Sequence, residues 1–191
     1  MRTLNAVEFL TVDGVMQGLG SPDEDTDGGF THGGWGARFT EGIDPSDNLG
    51  GTSAYLFGRK TYQKMAAFWP RQSDTNPIAA HLNATPKFVA TRTLTSLDWE
   101  GAEVLDGDLE ASVRKLKADG DGGITILGSG VLVHELMQLR LVDGLRLFVH
   151  PLLLGTGKRL FHDLPEPRSL HLVSVDATPL GSIAINYTID A

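Results

Sequence analysis

A glycine-rich turn between a strand pattern and a helix pattern constrains this sequence most strongly. Residues 123–140 read Gly-Ile-Thr-Ile-Leu-Gly-Ser-Gly-Val-Leu-Val-His-Glu-Leu-Met-Gln-Leu-Arg. The β-branched run predicts a short buried strand, and the apolar residues after the turn recur at helical spacing. The first N–H groups of a helix attract anions, and glycine lets a phosphate reach the backbone. The turn Gly128-Ser129-Gly130 therefore predicts either an anion site or an ordinary strand-to-helix connection.

The dinucleotide fingerprint G-x-G-x-x-G is incomplete, because Val133 occupies the position of its last glycine. This departure argues against a doubly wound dehydrogenase that uses NADH. Two alternating segments near the end of the chain, at 169–177 and 181–189, predict an antiparallel hairpin and argue the same way.

Composition limits the class of protein. The 191 residues fit a single domain, which we expect to span residues 1–191. The absence of cysteine excludes disulfides, thiolate nucleophiles and Cys–zinc sites, and we predict no metal site. A net charge of −8 argues against nucleic acid, and no apolar run reaches the roughly 20 residues of a membrane span. Because the chain opens directly in a strand pattern, we expect a cytoplasmic protein.

Two further strand ends carry anion-binding chemistry. Gly58-Arg59-Lys60-Thr61 turns the strand at 54–57 into a helix that reaches Phe68, and Thr91-Arg92-Thr93 ends a strand that begins near Pro86. Cations at a helix N-terminus oppose the helix dipole, so they are either ordinary surface charge or partners of a bound phosphate. Three such ends along one sheet edge would suit NADPH, with Arg59 and Arg92 reading its 2′-phosphate.

A long loop at 18–36 has two open interpretations. Its segment Asp23-Glu24-Asp25-Thr26-Asp27-Gly28 resembles half of a calcium loop, but Gly34 stands where a ligand is required, so a solvated acidic loop is favoured. Trp35 follows two glycines, and it either covers a ligand or packs on a strand edge. Asp13, at the end of the first strand, is either a polar substrate contact and proton source or a turn cap.

The motifs together resemble the dihydrofolate reductase-like family of bacterial proteins related to the reductase domain of the bifunctional riboflavin-biosynthesis deaminase–reductase. They occur in order along nearly the whole chain, as Thr11-Val12-Asp13-Gly14-Val15, Gly33-Gly34-Trp35, Phe57-Gly58-Arg59-Lys60-Thr61-Tyr62, Phe68-Trp69-Pro70, Lys87 to Leu94, Ile126-Leu127-Gly128-Ser129-Gly130 and Leu152 to Gly157.

The resemblance implies an α/β fold with a mixed, mostly parallel sheet of about eight strands, flanked by helices and ending in an antiparallel hairpin. It also implies NADPH across the strand ends and an apolar flank for the nicotinamide. The implied cofactor-binding residues are Phe9, Met16, Gly58, Arg59, Lys60, Thr61, Thr91, Arg92, Thr93, Gly128, Ser129, Gly130, Val131 and Leu132. The implied substrate contacts are Asp13, which is also the candidate catalytic residue, Trp35 and Trp69.

We therefore predict an NADPH-dependent oxidoreductase that transfers a hydride to a small heterocyclic substrate (pterin- or pyrimidine-like) or to a carbonyl substrate. The alternative is a dinucleotide-binding module of the same fold without turnover. Glu41, Asp44 and Asp47 could each supply the acid of dihydrofolate reductases by position, but none lies in a convincing motif. A homodimer through the apolar strand at 145–154 or through the tail is open, and His134 and His150 are interpreted as structural.

Overall fold

Alternating strand and helix patterns produce an α/β architecture in the computed structural model, which describes residues 1–39 and 50–190. The strands of these ranges are β1 (Thr3–Thr11), β2 (Thr52–Gly58), β3 (Lys87–Ala90), β4 (Ala102–Val104), β5 (Gly123–Leu127), β6 (Gly144–His150), β7 (Leu170–Ala177) and β8 (Ile183–Ile189). The helices are α1 (Arg59–Phe68), α2 (Pro77–Ala84), α3 (Leu109–Ala118) and α4 (Gly130–Gln138).

The eight strands form one sheet in the order β4-β3-β2-β5-β1-β6-β8-β7. β2 pairs in parallel with β3 and β5, and β3 pairs in parallel with β4. β8 lies antiparallel between β6 and β7. Helices lie in the connections from β2 to β3 and from β4 to β5, whereas residues 91–101 link the parallel strands β3 and β4 without a helix. The short turn before β8 permits only an antiparallel pairing. The predicted mixed sheet with a C-terminal hairpin is confirmed.

Several predicted boundaries move for local reasons. β6 ends at His150 rather than Leu154 because Pro151 has no N–H to donate to a sheet. α2 begins after Asn76, whose side chain accepts hydrogen bonds from the N–H groups of Ile78 and Ala79. β3 ends at Ala90, so Thr91-Arg92-Thr93 follows the strand instead of finishing it.

The chain divides into two compact units, one of residues 1–6 and 44–143 and the other of residues 7–43 and 144–191. The organisation of residues 1–191 as a single domain therefore stays a prediction. The core of the first unit is an aromatic-rich cluster in which Phe57 stacks between Tyr55 and Trp99. In the second unit, Val15 packs with Phe30 and Trp35 of the long loop in a small core.

Within residues 1–39 and 50–190, no helix is both long enough and apolar enough to cross a lipid bilayer.

Candidate functional site

The three predicted anion-binding segments lie at neighbouring strand ends of the first unit. Gly58, the last residue of β2, is in register with Ala90, the last residue of β3. On the other side, Leu56 of β2 is in register with Ile126 of β5, which ends one residue later. Because these strands are parallel, their carboxyl ends share one edge of the sheet. The structure therefore brings together the segments at 58–61, 91–93 and 128–132.

A direct hydrogen bond joins two of these segments. The Gly58 N–H donates to the Ser129 hydroxyl oxygen at 2.9 Å. A Cβ at Gly58 would lie 3.3 Å from that oxygen and 3.4 Å from the Ser129 Cβ, which is tighter than ordinary contact. Ser129 itself has a left-handed backbone with φ of +69°, a conformation that costs a non-glycine residue about 1 kcal/mol. The turn before α4 is thus held in a strained conformation against the start of α1.

Both helices that begin at this edge have open N-termini. Neither Gly58, before α1, nor Ser129, before α4, caps its helix with a side chain. The Ser129 hydroxyl contacts Gly58 instead, and the first backbone bond within α4 runs from the Val133 N–H to the Ser129 carbonyl. Helix starts that lack a side-chain cap are the kind of backbone arrangement that attracts an anion. Val131 is 77% exposed in the first turn of α4.

Cationic and hydroxyl side chains surround these helix starts. Arg59, Lys60 and Arg92 are exposed, and Arg59 donates a hydrogen bond to the Gln63 side chain one turn later. The Thr91 hydroxyl oxygen accepts from the N–H groups of Thr93 and Leu94, which closes the loop after β3 and leaves its own proton to donate. These groups suit a phosphate.

Gly128 leaves space open in front of α1. A Cβ at Gly128 would come within 3.6 Å of the Thr61 methyl group, and Gly128 has a φ of +68°. A side chain at this position would be strained and would fill the space before α1. The glycines and the exposed cations at this edge therefore suit a phosphate-bearing group.

Asp13, in the second unit, joins the end of β1 to the loop after β6 through hydrogen bonds to its carboxylate. Its oxygens accept hydrogen bonds from the Thr11 hydroxyl at 2.6 Å and from the N–H groups of Leu154 at 3.2 Å and Gly155 at 2.8 Å. The Arg159 guanidinium lies 3.6 Å away. The Thr11 hydroxyl and the two N–H groups lower the pKa of Asp13, since they stabilise its ionised form. An ionised Asp13 holds the loop after β6 against the end of β1 and is poorly suited to donate a proton.

The Lys158 side chain lies beside the carboxylates of the acidic loop, where a bound metal cation would have to lie. The Lys158 ammonium lies 2.7 Å from a carboxylate oxygen of Asp25 and 2.7 Å from one of Asp27. Burial disfavours the charged forms of Asp25 and Lys158, but their hydrogen bonds outweigh this effect. The pKa of Lys158 is therefore raised and that of Asp25 is lowered. In the described part of the chain, no group of three or more His, Asp or Glu side chains is placed to hold a metal.

An aromatic cluster surrounds His150 at the end of β6. Phe39 and Phe9 stack on its ring at centroid distances of 4.9 and 6.1 Å, and Trp35 meets it edge-on at 5.6 Å. His150 shares a hydrogen bond of 2.8 Å with the Ser182 hydroxyl, and burial lowers its pKa to about 4. The ring is therefore neutral at physiological pH, in keeping with the predicted structural role.

The two predicted tryptophan contacts are used mainly in packing. The Trp35 indole N–H donates to the Gln17 carbonyl at 2.7 Å, and the residue is 7% exposed. Trp69 is half-buried against the core of the first unit and donates to the Met65 sulfur. Phe9 and Met16, the predicted nicotinamide flank, are half-buried in the second unit.

Sequence reasoning missed the basic pair that organises the loops of the second unit. Lys158 binds the acidic loop, and Arg159 donates from Nε to the Asp13 carbonyl at 2.9 Å. Two adjacent cations directly after Gly155-Thr156-Gly157 were a usable signal, because lysine and arginine form strong hydrogen bonds with carboxylates and the loop at 23–27 is acidic. The candidate acids Glu41, Asp44 and Asp47 lie outside the described residues.

Comparison with known proteins assigns the chain to a family. Residues 2–183 match the family model described as the RibD C-terminal domain, so the chain belongs to that family. It is 28% identical over 185 residues to the uncharacterized protein YyaP of Bacillus subtilis (strain 168), covering 93% of this chain and 90% of that one.

Solved structures support the same fold. A protein named for riboflavin biosynthesis from Shewanella sp. PV-4 superposes with a TM-score of 0.73 at 18% identity, over 99% of both chains. Dihydrofolate reductase from Enterococcus faecalis, solved with NADP(H), superposes with a TM-score of 0.56 at 16% identity, over 99% of this chain and 97% of that one. These likenesses confirm the predicted dihydrofolate reductase-like fold.

Proposed function

We propose that this protein is an NADPH-dependent reductase that transfers a hydride to a small heterocyclic substrate, pterin- or pyrimidine-like, or to a carbonyl substrate. Membership of the RibD C-terminal domain family supports a reductase. The observation that carries the proposal is the pair of uncapped helix N-termini at one sheet edge, joined by the Gly58–Ser129 hydrogen bond. NADPH, when bound, would supply the hydride, and the protein supplies orientation and electrostatics.

The phosphate contacts follow from the chemistry of each segment. Gly128, Ser129, Gly130, Val131 and Leu132 would meet the pyrophosphate through the backbone at the start of α4. The start of α1 would add its open N–H groups together with Arg59, Lys60 and Thr61. The segment at 91–93 would meet the adenosine 2′-phosphate, with Arg92 as the charged contact.

The contacts at the reacting end rest on the family resemblance. We assign Phe9 and Met16 to the nicotinamide on the basis of the family resemblance. Asp13 is assigned to positioning, because its carboxylate already binds Thr11, Leu154 and Gly155. Trp35 and Trp69 remain predicted substrate contacts.

A paired nucleotide titration tests the cofactor assignment. NADPH and NADH are titrated separately into the protein, with tryptophan quenching and NADPH fluorescence as readouts. We expect tighter binding of NADPH, and a roughly ten- to hundred-fold loss of that preference in Arg59→Ala or Arg92→Ala. Arg114→Ala is the matched control, because Arg114 is an exposed arginine of α3 that pairs with Glu110. If neither nucleotide binds, the reductase proposal fails.

The second candidate is a dinucleotide-binding module without turnover. The lowered pKa of Asp13 favours it, because the acid predicted at the reacting end is ionised. Saturable oxidation of NADPH that depends on an added pterin, pyrimidine or carbonyl compound would exclude this candidate. Tight NADPH binding with no oxidation across all three substrate classes would support it.

A further inference from the structure

A lysine lies in the aromatic-rich core of the first unit. Lys87, the first residue of β3, is in register with Tyr55 of β2, and Val89 is in register with Phe57. Side chains alternate along a strand, so Lys87 points to the side on which Val89, Phe57 and Trp99 pack. Lys87 is 0% exposed, although a lysine is rarely buried unless its charge has partners.

Two carbonyls and an aromatic face hold the Lys87 ammonium. It donates hydrogen bonds of 2.9 Å to the carbonyl oxygens of Asn83 and Glu100. It also lies 4.8 Å from the centroid of the Trp99 ring, whose face attracts a cation. A neutral amine would have only two N–H groups and would point its lone pair at one of these electron-rich neighbours. The charged form is therefore the one that fits this arrangement.

These contacts join the end of α2 to the end of the segment at 91–101, which we call the β3–β4 loop. Asn83 lies in the last turn of α2, where carbonyls lack partners within the helix and a cation is favourable. Glu100 lies near the end of the β3–β4 loop, and the Lys87 backbone N–H donates to the carbonyl of Gly101 at 2.8 Å. Lys87 therefore holds the end of this loop through both its backbone and its side chain.

Trp99 fixes the same end of the β3–β4 loop. Its indole N–H donates to the Asn83 side-chain oxygen at 2.9 Å, and its backbone N–H donates to the Tyr62 hydroxyl oxygen of α1 at 3.1 Å. Leu94 and Leu97, in the middle of the loop, pack on the same core. Because the loop has no helix or strand of its own, its position depends on these side-chain contacts.

The β3–β4 loop begins with Thr91-Arg92-Thr93, the segment proposed to meet the adenosine 2′-phosphate. The Thr91 hydroxyl closes a local turn, and the Arg92 side chain is exposed. A guanidinium binds a phosphate through a planar fork of N–H groups, so the contact depends on where the backbone holds the arginine. Whatever fixes the loop therefore affects how well Arg92 reads the phosphate.

We propose that Lys87 is a positioning residue that fixes the β3–β4 loop so that Arg92 meets the 2′-phosphate of NADPH. The inference rests on the proposed function, because it uses the assignment of the segment at 91–93 to this phosphate. Lys87 is fully buried, so it acts through the loop rather than on the phosphate itself. It thereby sets the preference for NADPH over NADH.

Nucleotide preference tests the inference. Dissociation constants for NADPH and NADH are measured by fluorescence titration for the parent chain, Lys87→Met and Lys117→Met. We expect Lys87→Met to bind NADPH about ten-fold more weakly and NADH as the parent does, because NADH lacks the 2′-phosphate. Lys117→Met is the matched control, since Lys117 is another buried lysine but its ammonium binds the Leu141 carbonyl and Asp143. It should keep the parental preference.

The outcomes separate this inference from the proposed function. If folded Lys87→Met loses affinity for both nucleotides equally, or keeps the parental preference, Lys87 has a purely structural role and the inference is overturned. A parent chain that binds neither nucleotide refutes the proposed function instead.

A pH series on the parent chain keeps the inference testable if Lys87→Met does not fold. Burial lowers the pKa of Lys87 to about 8, although the Glu100 carboxylate favours the charged form. On the same side of the sheet, burial raises the pKa of Tyr55 and lowers that of His81, which hydrogen-bonds to it. Neither of these two groups therefore changes its protonation between pH 7 and 9.

The 2′-phosphate also keeps its charge in this range, since the second pKa of a phosphate monoester is about 6. We therefore expect the parental preference for NADPH to fall at least about three-fold from pH 7 to 9, as Lys87 loses its proton. A preference that stays constant across this range overturns the inference.

Discussion

The Gly58 N–H and the Ser129 hydroxyl oxygen are 2.9 Å apart, and this hydrogen bond joins the start of α1 to the turn before α4. Ser129 holds a left-handed backbone to make it. Strain of this kind persists where the surrounding structure determines it, and it often marks a functional site. The bond also explains why Ser129 does not cap its own helix, which leaves the N–H groups of α4 open.

Two substitutions at Ser129 separate the hydrogen bond from the backbone strain. Ser129→Ala and Ser129→Gly both remove the acceptor of the Gly58 N–H, but only glycine also relieves the positive φ. We expect the glycine variant to be the more stable of the two by about 1 kcal/mol in urea unfolding. An alanine variant at least as stable as the glycine variant would contradict the left-handed conformation of this turn.

Asp13→Asn should lower the stability of the fold but leave the pH dependence of NADPH oxidation unchanged. Asparagine cannot match the hydrogen bonds from Thr11, Leu154 and Gly155, so we expect a loss of about 1–2 kcal/mol in the free energy of unfolding. Because the pKa of Asp13 is lowered, any acidic limb in the pH profile of NADPH oxidation should keep its position. Asp163→Asn, at a side chain that is 95% exposed, is the control. Displacement of that limb by Asp13→Asn would instead make Asp13 the proton donor.

Glu8 should make the protein less stable as the pH rises. Glu8 is 3% exposed in β1, and burial raises its pKa to about 8 from an ordinary value of 4.5. Between these two values the unfolded chain releases the proton while the folded chain keeps it, so the free energy of unfolding falls across this window and levels off above it.

Glu8→Gln removes this titration. We expect the stability of Glu8→Gln relative to the parent to rise by roughly 2–4 kcal/mol between pH 4.5 and 8 in urea unfolding, and to stay constant above pH 8. A difference that is the same at both ends of the window would show that Glu8 is ionised in the folded protein.

Lys158 should make the acidic loop indifferent to calcium. Its ammonium lies 2.7 Å from both Asp25 and Asp27, so added Ca²⁺ should leave the Tm of the parent unchanged. Lys158→Met should lower stability by about 0.5–1 kcal/mol, since its ion pairs are partly screened by solvent. Lys115→Met, at an exposed lysine of α3, should be neutral. A Tm of the parent that rises by several degrees with Ca²⁺ would revive the calcium interpretation.

Much of the fold could be predicted from local signals. The helix α3 begins after Asp108, whose side chain accepts a hydrogen bond from the Ala111 N–H, and such a cap is indicated by residue type alone. The hairpin at 170–189 follows from alternation, apart from the shift of register between Leu172 and Ser174. The predicted bounds that were wrong, such as the end of β6, depend on a proline and on strand partners far along the chain.

The candidate site was predictable in its parts but not in its connections. Glycines, cations and hydroxyls at strand ends identified the segments at 58–61, 91–93 and 128–132, because backbone geometry and charge are local properties. The Gly58–Ser129 hydrogen bond, and the hydrogen bonds that Asp13 accepts from Leu154 and Gly155, join residues 71 to 142 positions apart. No periodicity in the sequence reports pairs at that separation.

Patterning and turn residues act over a few positions, so they were enough to identify the fold class, the family and the chemistry available at each strand end. The folded structure fixed how those groups are used. It committed Asp13 to the loop after β6, placed Lys158 between two carboxylates and shifted β7 by one residue so that the hairpin became apolar on one side. These outcomes depend on which distant groups meet, and packing and hydrogen-bond partners fix that only once the chain has folded.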